Sequence, residues 1–461
     1  MAVDLIAQDM AGQALELAAG AKAAAAITFG AQWAVLGDSI AAQNSVNGTS
    51  STYAYQNKGF MSWFRFLSGG RVDFPLANNF GVGGDTLAMI AVRVPNVLLT
   101  TARVVVFEGG TNDLTLGTPF ASMQATAAGI IRDLTVAGRT VIAVPITPRS
   151  GLSTTQLRVM SRYNTWLKEL CLGRPDLMSA AGLANYRPPL VMDFWPYLAD
   201  MTTASSPITG QTQDGLHPAA LGAFWMGQAM LDTFAYLLPP RPTSEYMSGS
   251  FYDAALNPSG QLLRSGTTSL GLLAGTGGTL TGSTGFTPTG SVATGWTLVR
   301  TAGTSTMAVV ASKQNPRTDY PFTTGERQRL QITVSGAGGV NEGCKLTIGA
   351  NGSDIAVGDQ VVFQVDVEIA SSANLLGVQA VVSNVGGSAV FGIDGSVVPT
   401  DTVLGILPNR SIKGTLRTPP FTLPSGTTNV SVSLTPLFKT DGGSASADIY
   451  FSDAKLFKVG V

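Results

Sequence analysis

At Leu237-Leu238-Pro239-Pro240-Arg241-Pro242 this 461-residue chain changes its hydrophobic period. Before the proline cluster, short apolar runs alternate with stretches of helical period. After it, apolar and polar residues alternate between turns of Gly, Asn, Asp and Ser, and no stretch of helical period follows. Proline removes a backbone donor and clashes with the preceding turn, so a helix stops there. A chain of this length also exceeds one ordinary core. The two periods therefore predict two architectures in tandem, α/β and then all-β.

In the first part, Trp33–Leu36, Arg103–Phe107, Thr140–Pro145 and Pro189–Phe194 read as strands. Leu87–Leu99, Ser122–Ala137, Thr155–Leu172 and Pro218–Leu238 read as helices. Strands separated by helices imply a parallel sheet covered on both faces. In the second part, residues 255–290 are rich in Gly, Thr and Ser and read as a linker or as loosely ordered strands. Strands are expected at Gly295–Arg300, Thr306–Ala311, Arg329–Val334, Gln360–Ile369, Asn429–Thr435 and Ala447–Leu456. Such a series predicts a β-sandwich of jelly-roll type. Residues 1–25 read as a helix with a short seam of Val3, Ile6, Met10, Gln13 and Leu17. It fits a helix lying on its own domain as well as an attachment or oligomerisation helix. The expected divisions are residues 1–28 (N-terminal helix), 29–243 (α/β), 244–290 (linker and loose strands) and 291–461 (sandwich).

His217 is the only histidine. Hydrolysis near neutral pH favours an imidazole base. A hydrolytic site within this chain is therefore built on His217, and a zinc site of several histidines is excluded. With 28 basic and 29 acidic residues, no basic field exists to attract nucleic acid. No apolar run is long enough to span a membrane. The N-terminus lacks a basic leader, and Asp4, Asp9 and Glu16 interrupt it, so no signal peptide is expected. Only 12% of residues are charged while Gly and Thr abound, a balance resembling extracellular or virion β-proteins. Cys171 and Cys344 cannot build a disulfide framework or a metal cluster and read as buried free thiols. Neither a cofactor nor a metal is expected.

Four segments carry candidate chemistry. Trp33-Ala34-Val35-Leu36 runs straight into Gly37-Asp38-Ser39-Ile40. A serine just past the end of a parallel strand sits where α/β sheets place their sites, and Gly37 permits a tight turn. A helix N-cap is the plain alternative. Next, Asn79-Phe80-Gly81-Val82-Gly83-Gly84-Asp85-Thr86 clusters glycines before a helix, which offers N–H groups to an anion. A dinucleotide fingerprint fails here, because Thr86 holds the third glycine position and no strand of good quality precedes. Third, the strand ending at Phe107 empties into Glu108-Gly109-Gly110-Thr111-Asn112-Asp113. There the Asn112 amide suits an oxyanion, or a turn. Last, Asp214-Gly215-Leu216-His217-Pro218 puts a carboxylate three residues from the imidazole. Asp214 can accept from one ring nitrogen while the other faces Ser39. An N-cap aspartate beside a surface histidine is the alternative.

In their order and placement, these segments resemble the blocks of the SGNH hydrolases, also called GDSL esterases, over about residues 30–240. Ile40 stands where the family name has Leu, and no block is missing. The resemblance implies a three-layer α/β/α, flavodoxin-like fold. It implies Ser39 as nucleophile, His217 as general base and Asp214 as the group that orients it. The oxyanion hole would comprise the Ser39 and Gly84 backbone N–H groups and the Asn112 side chain. Asp38 and Asp113 would hold turns rather than take part in chemistry.

The expected function is ester hydrolysis through an acyl-enzyme on Ser39. The appended sandwich, with no recognisable lipase lid, favours a carbohydrate O-acetylesterase acting on an acetylated bacterial surface polysaccharide. Helix, enzyme and Gly/Thr-rich β-domain in that order look like a phage tail-fibre or tailspike protein, virion-associated or extracellular, assembled as a homotrimer. The rivals are a secreted lipase or esterase acting on lipids and a non-catalytic glycan receptor with a vestigial hydrolase domain. Phe194-Trp195-Pro196-Tyr197 reads as packing beneath a loop, with pocket lining as the alternative. Trp296 reads as a core residue rather than a sugar platform. Asp448–Val459 looks like the last strand of a carbohydrate-binding jelly roll.

Overall fold

The computed structural model describes residues 31–47, 51–203, 206–240, 251–266, 268–316, 325–336, 340–350, 352–396, 406–440 and 443–460. The helix expected over residues 1–28 lies outside the described residues.

Up to residue 240 the described strands are β1 (Trp33–Gly37), β2 (Ser45–Asn47), β3 (Thr52–Gln56), β4 (Asn79–Gly81), β5 (Val104–Phe107), β6 (Thr140–Ala143) and β7 (Leu190–Val191). A parallel sheet runs in the order β4-β1-β5-β6-β7. The chain starts at β1, steps to β4 on one side, then returns to build the other side from β5. That is a doubly wound order, with a crevice where β1 and β5 part. β1 and β5 are buried along their whole length, as strands covered on both faces must be. Their pleat sends Val35, Val104 and Val106 into one apolar layer and Leu36, Val105 and Phe107 into the other. Helices Phe60–Leu67 and Ala220–Phe234 cover the first layer. Helices Phe120–Val136 and Thr154–Cys171 cover the second, completing an α/β/α sandwich.

Three local expectations need correction. The helix expected over Leu87–Leu99 is two short helices, Leu87–Val92 and Val94–Leu98, because Pro95 in the first turn of the second interrupts the ladder. The strand expected over Pro189–Phe194 pairs only at Leu190–Val191. A strand does open the glycine segment: β4, its first three residues, lies parallel to β1, too short to show as an apolar run.

Beyond residue 250 the strands are β8 (Arg264–Ser265), β9 (Thr268–Ser269), β10 (Thr279–Thr281), β11 (Phe286–Gly290), β12 (Thr297–Ala302), β13 (Thr306–Gln314), β14 (Arg327–Ser335), β15 (Val340–Gly349), β16 (Gln360–Ala373), β17 (Leu375–Val385), β18 (Phe391–Ser396), β19 (Ile412–Arg417), β20 (Phe421–Thr422), β21 (Asn429–Lys439) and β22 (Ser444–Val459). One sheet runs β11-β13-β14-β22-β16-β19, with β20 beside β16. The other runs β10-β12-β15-β21-β17-β18-β3-β2. Inward residues of both sheets share one apolar core, among them Leu298, Val432, Leu330 and Ile449. Leu262, Leu263 and Leu273, from the Gly/Thr/Ser-rich stretch, are fully buried in it. Cys171 and Cys344 are free, and burial pushes each thiol up to about 12. Among the described residues no helix is long and apolar enough to cross a membrane.

The two architectures share a sheet. The hairpin of β2 and β3, from the α/β segment, joins the eight-stranded sheet through parallel pairing of β3 with β18. The helix that follows, Phe60–Leu67, is buried from Phe60 to Phe66, Ser62 and Arg65 included, and so is covered on both sides. Its Phe60, Met61 and Phe64 enter the α/β layer. Its Trp63 and Phe66 enter the sandwich core with Ala223 and Phe224. Where the two meet, Arg65 lies 3.6 Å from the Asp394 carboxylate and stacks 3.6 Å above the Tyr55 ring. The Arg417 N–H donates to the same carboxylate at 2.7 Å.

Candidate active site

Ser39 is the first residue of a one-turn helix, Ser39–Ala42, entered directly from β1. Asp38 caps that helix, its Oδ1 accepting the Ile40 N–H at 3.0 Å. On a separate loop, Asp214 Oδ1 accepts the backbone N–H of Leu216 at 3.0 Å and of His217 at 2.8 Å. This turn, with Gly215 at φ +83°, swings the imidazole back over its own carboxylate. His217 Nδ1 lies 2.6 Å from Asp214 Oδ2, and Nε2 lies 2.7 Å from Ser39 Oγ. With Nδ1–H donating to the carboxylate, Nε2 presents its lone pair to the serine hydroxyl. Burial raises the Asp214 pKa, but hydrogen bonds from the His217 ring and from the His217 and Leu216 backbone outweigh it, so the carboxyl sits below its ordinary value. The site is open: the His217 side chain is 26% exposed and that of Asp214 54%.

The glycine turn faces the serine, so that a β-carbon on Gly83 would lie 3.9 Å from the Ser39 β-carbon. Gly84 has φ +85°, which a side chain would strain. From the end of β5 the chain bends through Gly110 into the helix Thr111–Leu116, which carries Asn112. The Asn112 amide donates to the Asp85 carbonyl at 2.9 Å, tying it to the glycine turn. Asp113 Oδ2 accepts the Leu87 N–H at 2.8 Å, so it holds that turn as expected. Every residue assigned from the sequence thus gathers at the crevice between the ends of β1 and β5.

Sequence reasoning missed two cations here. Arg93 donates to the Gly37 carbonyl at 2.7 Å and the Phe80 carbonyl at 3.1 Å, and pairs with Asp85. It therefore ties the Ser39 turn to the glycine turn. Arg149 donates to the Thr111 carbonyl at 2.9 Å and the Thr115 hydroxyl at 3.1 Å, bracing the helix that carries Asn112. The available signal for Arg93 is a lone cation within the apolar run LAMIAVRV. Elsewhere the aromatic side chains read as packing are packed. Phe194 is buried against Phe60, ring centroids 5.6 Å apart, and Trp195 Nε1 donates to the Ile146 carbonyl at 2.8 Å. Trp296 is fully buried and donates to the Leu270 carbonyl at 2.9 Å. Among the described residues, no group of three or more His, Cys, Asp or Glu could hold a metal.

Residues 35–223 match the GDSL-like Lipase/Acylhydrolase family. Among solved structures, a member of the lipolytic protein G-D-S-L family from Veillonella parvula DSM 2008 is similar at 20% identity and TM-score 0.34, over 44% of this chain and 98% of that one. The psychrotrophic esterase EstA from Pseudoalteromonas sp. is similar at 16% identity and TM-score 0.31, over 44% and 96%. The enzymatically active domain of bacteriophage CBA120 tailspike protein 4 is similar at 15% identity and TM-score 0.22, over 36% and 19%. No curated protein matches this chain.

Proposed function

We propose, from the premise that this chain belongs through residues 35–223 to the GDSL-like lipase/acylhydrolase family, that its substrate is an O-acetylated polysaccharide. The chain is a serine hydrolase of carboxylic esters. Ser39 Oγ attacks the ester carbonyl as His217 Nε2 takes its proton. Negative charge developing on the carbonyl oxygen is held by the N–H groups of Ser39 and Gly84 and by the Asn112 amide. His217 returns the proton to the departing alcohol, leaving an acyl group on Ser39. Water, deprotonated by the same imidazole, then releases the acid. Asp214, below its ordinary pKa, stays ionised to stabilise the imidazolium in each half-reaction.

The observation that carries the substrate reading is the openness of the site. With His217 and Asp214 26% and 54% exposed, the serine meets solvent at the crevice mouth, which suits an ester borne on a large, hydrated polymer. The β-sandwich built onto the same unit offers a second surface for that polymer, and a role on the outside of a virion fits both. The test is hydrolysis of p-nitrophenyl acetate, butyrate and octanoate beside acetate release from O-acetylated bacterial polysaccharides. A polysaccharide acetylesterase prefers acetyl to octanoyl by at least about tenfold in kcat/KM, since one methylene can be worth that much in a fitted site. Preference for the longer chain, with no acetate released from polysaccharide, turns the reading to lipid esters.

A further inference from the structure

Two carboxyl groups lie beneath the nucleophile turn, and the hydrolysis outlined above uses neither. Asp38 is fully buried and Glu108, just past the end of β5, is 6% exposed. Glu108 Oε1 accepts the Asp38 N–H at 2.8 Å and the Ala41 N–H at 3.0 Å. A β-carbon on Gly37 would lie 2.2 Å from that oxygen. Gly37 has no positive φ, so a glycine stands there because the Glu108 carboxyl fills the space, not because the turn needs left-handed backbone.

The one-turn helix explains what a buried carboxyl does here. The first N–H groups of a helix lack partners within it. Asp38 takes that of Ile40 and Glu108 takes that of Ala41. The N–H of Ser39, between them, is claimed by neither carboxyl and faces the role of oxyanion donor. We propose that Glu108 is a positioning residue for the ester hydrolysis: it grips the backbone on both sides of Ser39, and so aims the hydroxyl at His217 and the Ser39 N–H at the developing oxyanion. This role rests on the reading of Ser39 as nucleophile.

The paired carboxyls fit that role. Two buried, touching carboxylates cannot both be ionised at neutral pH, so one proton lies between them. Burial, and then the Asp38 charge, push Glu108 well above the usual carboxylate range. Asp38 Oδ2 is buried with no hydrogen-bond partner among the described residues, which leaves it as the acceptor for such a proton. Glu108 thus accepts two backbone N–H groups through one oxygen and binds Asp38 through the shared proton, closing a ring around the turn.

The experiment uses the full chain, p-nitrophenyl acetate and a fluorophosphonate. Glu108→Ala should lower kcat by about 10²-fold with KM nearly unchanged, the scale of misplacing a reacting group by about 1 Å. Glu108→Gln keeps an oxygen for both N–H groups and an N–H for Asp38, and should recover most of that loss. Glu108→Asp keeps the acid but withdraws the oxygen, and should behave like Glu108→Ala; it serves if Glu108→Ala does not fold. Full kcat in Glu108→Asp or Glu108→Ala overturns the role, as does a Glu108→Gln no better than Glu108→Ala. A wild-type protein that neither hydrolyses the ester nor takes phosphonate on Ser39 overturns the nucleophile reading, and this role with it. An active wild type with unimpaired variants overturns the role alone.

Discussion

Ser39, His217 and Asp214 stand in one hydrogen-bonded line, and no second imidazole exists in the chain. Ser39→Ala and His217→Ala should therefore each lower kcat for p-nitrophenyl acetate by about 10⁴–10⁶, while thermal melting stays near that of the wild type. Asn112→Ala should lose about 10²–10³ in kcat, the scale of one oxyanion donor, with KM little changed. These residues were legible in the sequence because each lies in a short segment whose neighbours reveal its setting: an apolar strand before Ser39 and Asn112, and an aspartate three residues before the imidazole. Arg93 and Glu108 were not. Their backbone partners, the Gly37 carbonyl for Arg93 and the Asp38 and Ala41 N–H groups for Glu108, lie more than fifty residues away, and side-chain type says nothing of which carbonyl or N–H it will meet. What the sequence does contain is an isolated charge inside or at the end of an apolar run, which must find partners on burial.

Among the elements, β1 and β5 were readable because strands covered on both faces are continuously apolar. β2, β3 and β4 were not, being three to five residues long and partly polar. The helix FMSWFRFL hid because it is only eight residues long, too short a window for its period to stand out. Close approach of elements gives a prediction at this scale. A β-carbon on Gly81, in β4, would lie 2.1 Å from the Ala42 nitrogen and 2.4 Å from the Ala41 carbonyl carbon, backbone atoms of the helix that begins at Ser39. Gly81→Ala should cost about 3 kcal/mol in urea unfolding, the upper range for overpacking, and should lower kcat as well. Gly129 lies within the helix Phe120–Val136 with nothing inside 4 Å of its β-position. Gly129→Ala should instead stabilise by about 0.5–1 kcal/mol through helix propensity. Equal responses at the two positions would contradict the packing described.

Across the whole molecule, the α/β and β architectures are joined by a sheet, by helices that serve two cores and by the buried Arg65–Asp394 contact. Burial pushes Asp394 up to about 6 from an ordinary 3.8, with Arg65 offsetting only part of the effect. A raised carboxyl is neutral in both states in strong acid and favours the folded state's proton above that. Its contribution to stability therefore declines as the pH rises from about 4 to 6, then levels, by about 3 kcal/mol in all. Asp394→Asn removes the titration. Relative to wild type, the variant's unfolding free energy should improve by up to that amount across this window and stay level above it. A difference that does not change between pH 4 and 7 would mean that Asp394 is not held neutral at this junction. The change of period at the prolines predicted an α/β and an all-β architecture, yet it could not reveal that they share a sheet, because strand pairing between distant segments leaves no local trace.

That shared sheet also has a consequence for how the chain is made. Thr52 of β3 pairs with Phe391 of β18, about 340 residues later. At a ribosomal rate of about 5–20 residues per second, the hairpin emerges roughly 20–70 s before its partner exists. During that interval β3 presents an unpaired edge. The one-turn helix that begins at Ser39 runs directly into this hairpin, so the strand next to it waits for a partner made long after Glu108, Asp214 and His217.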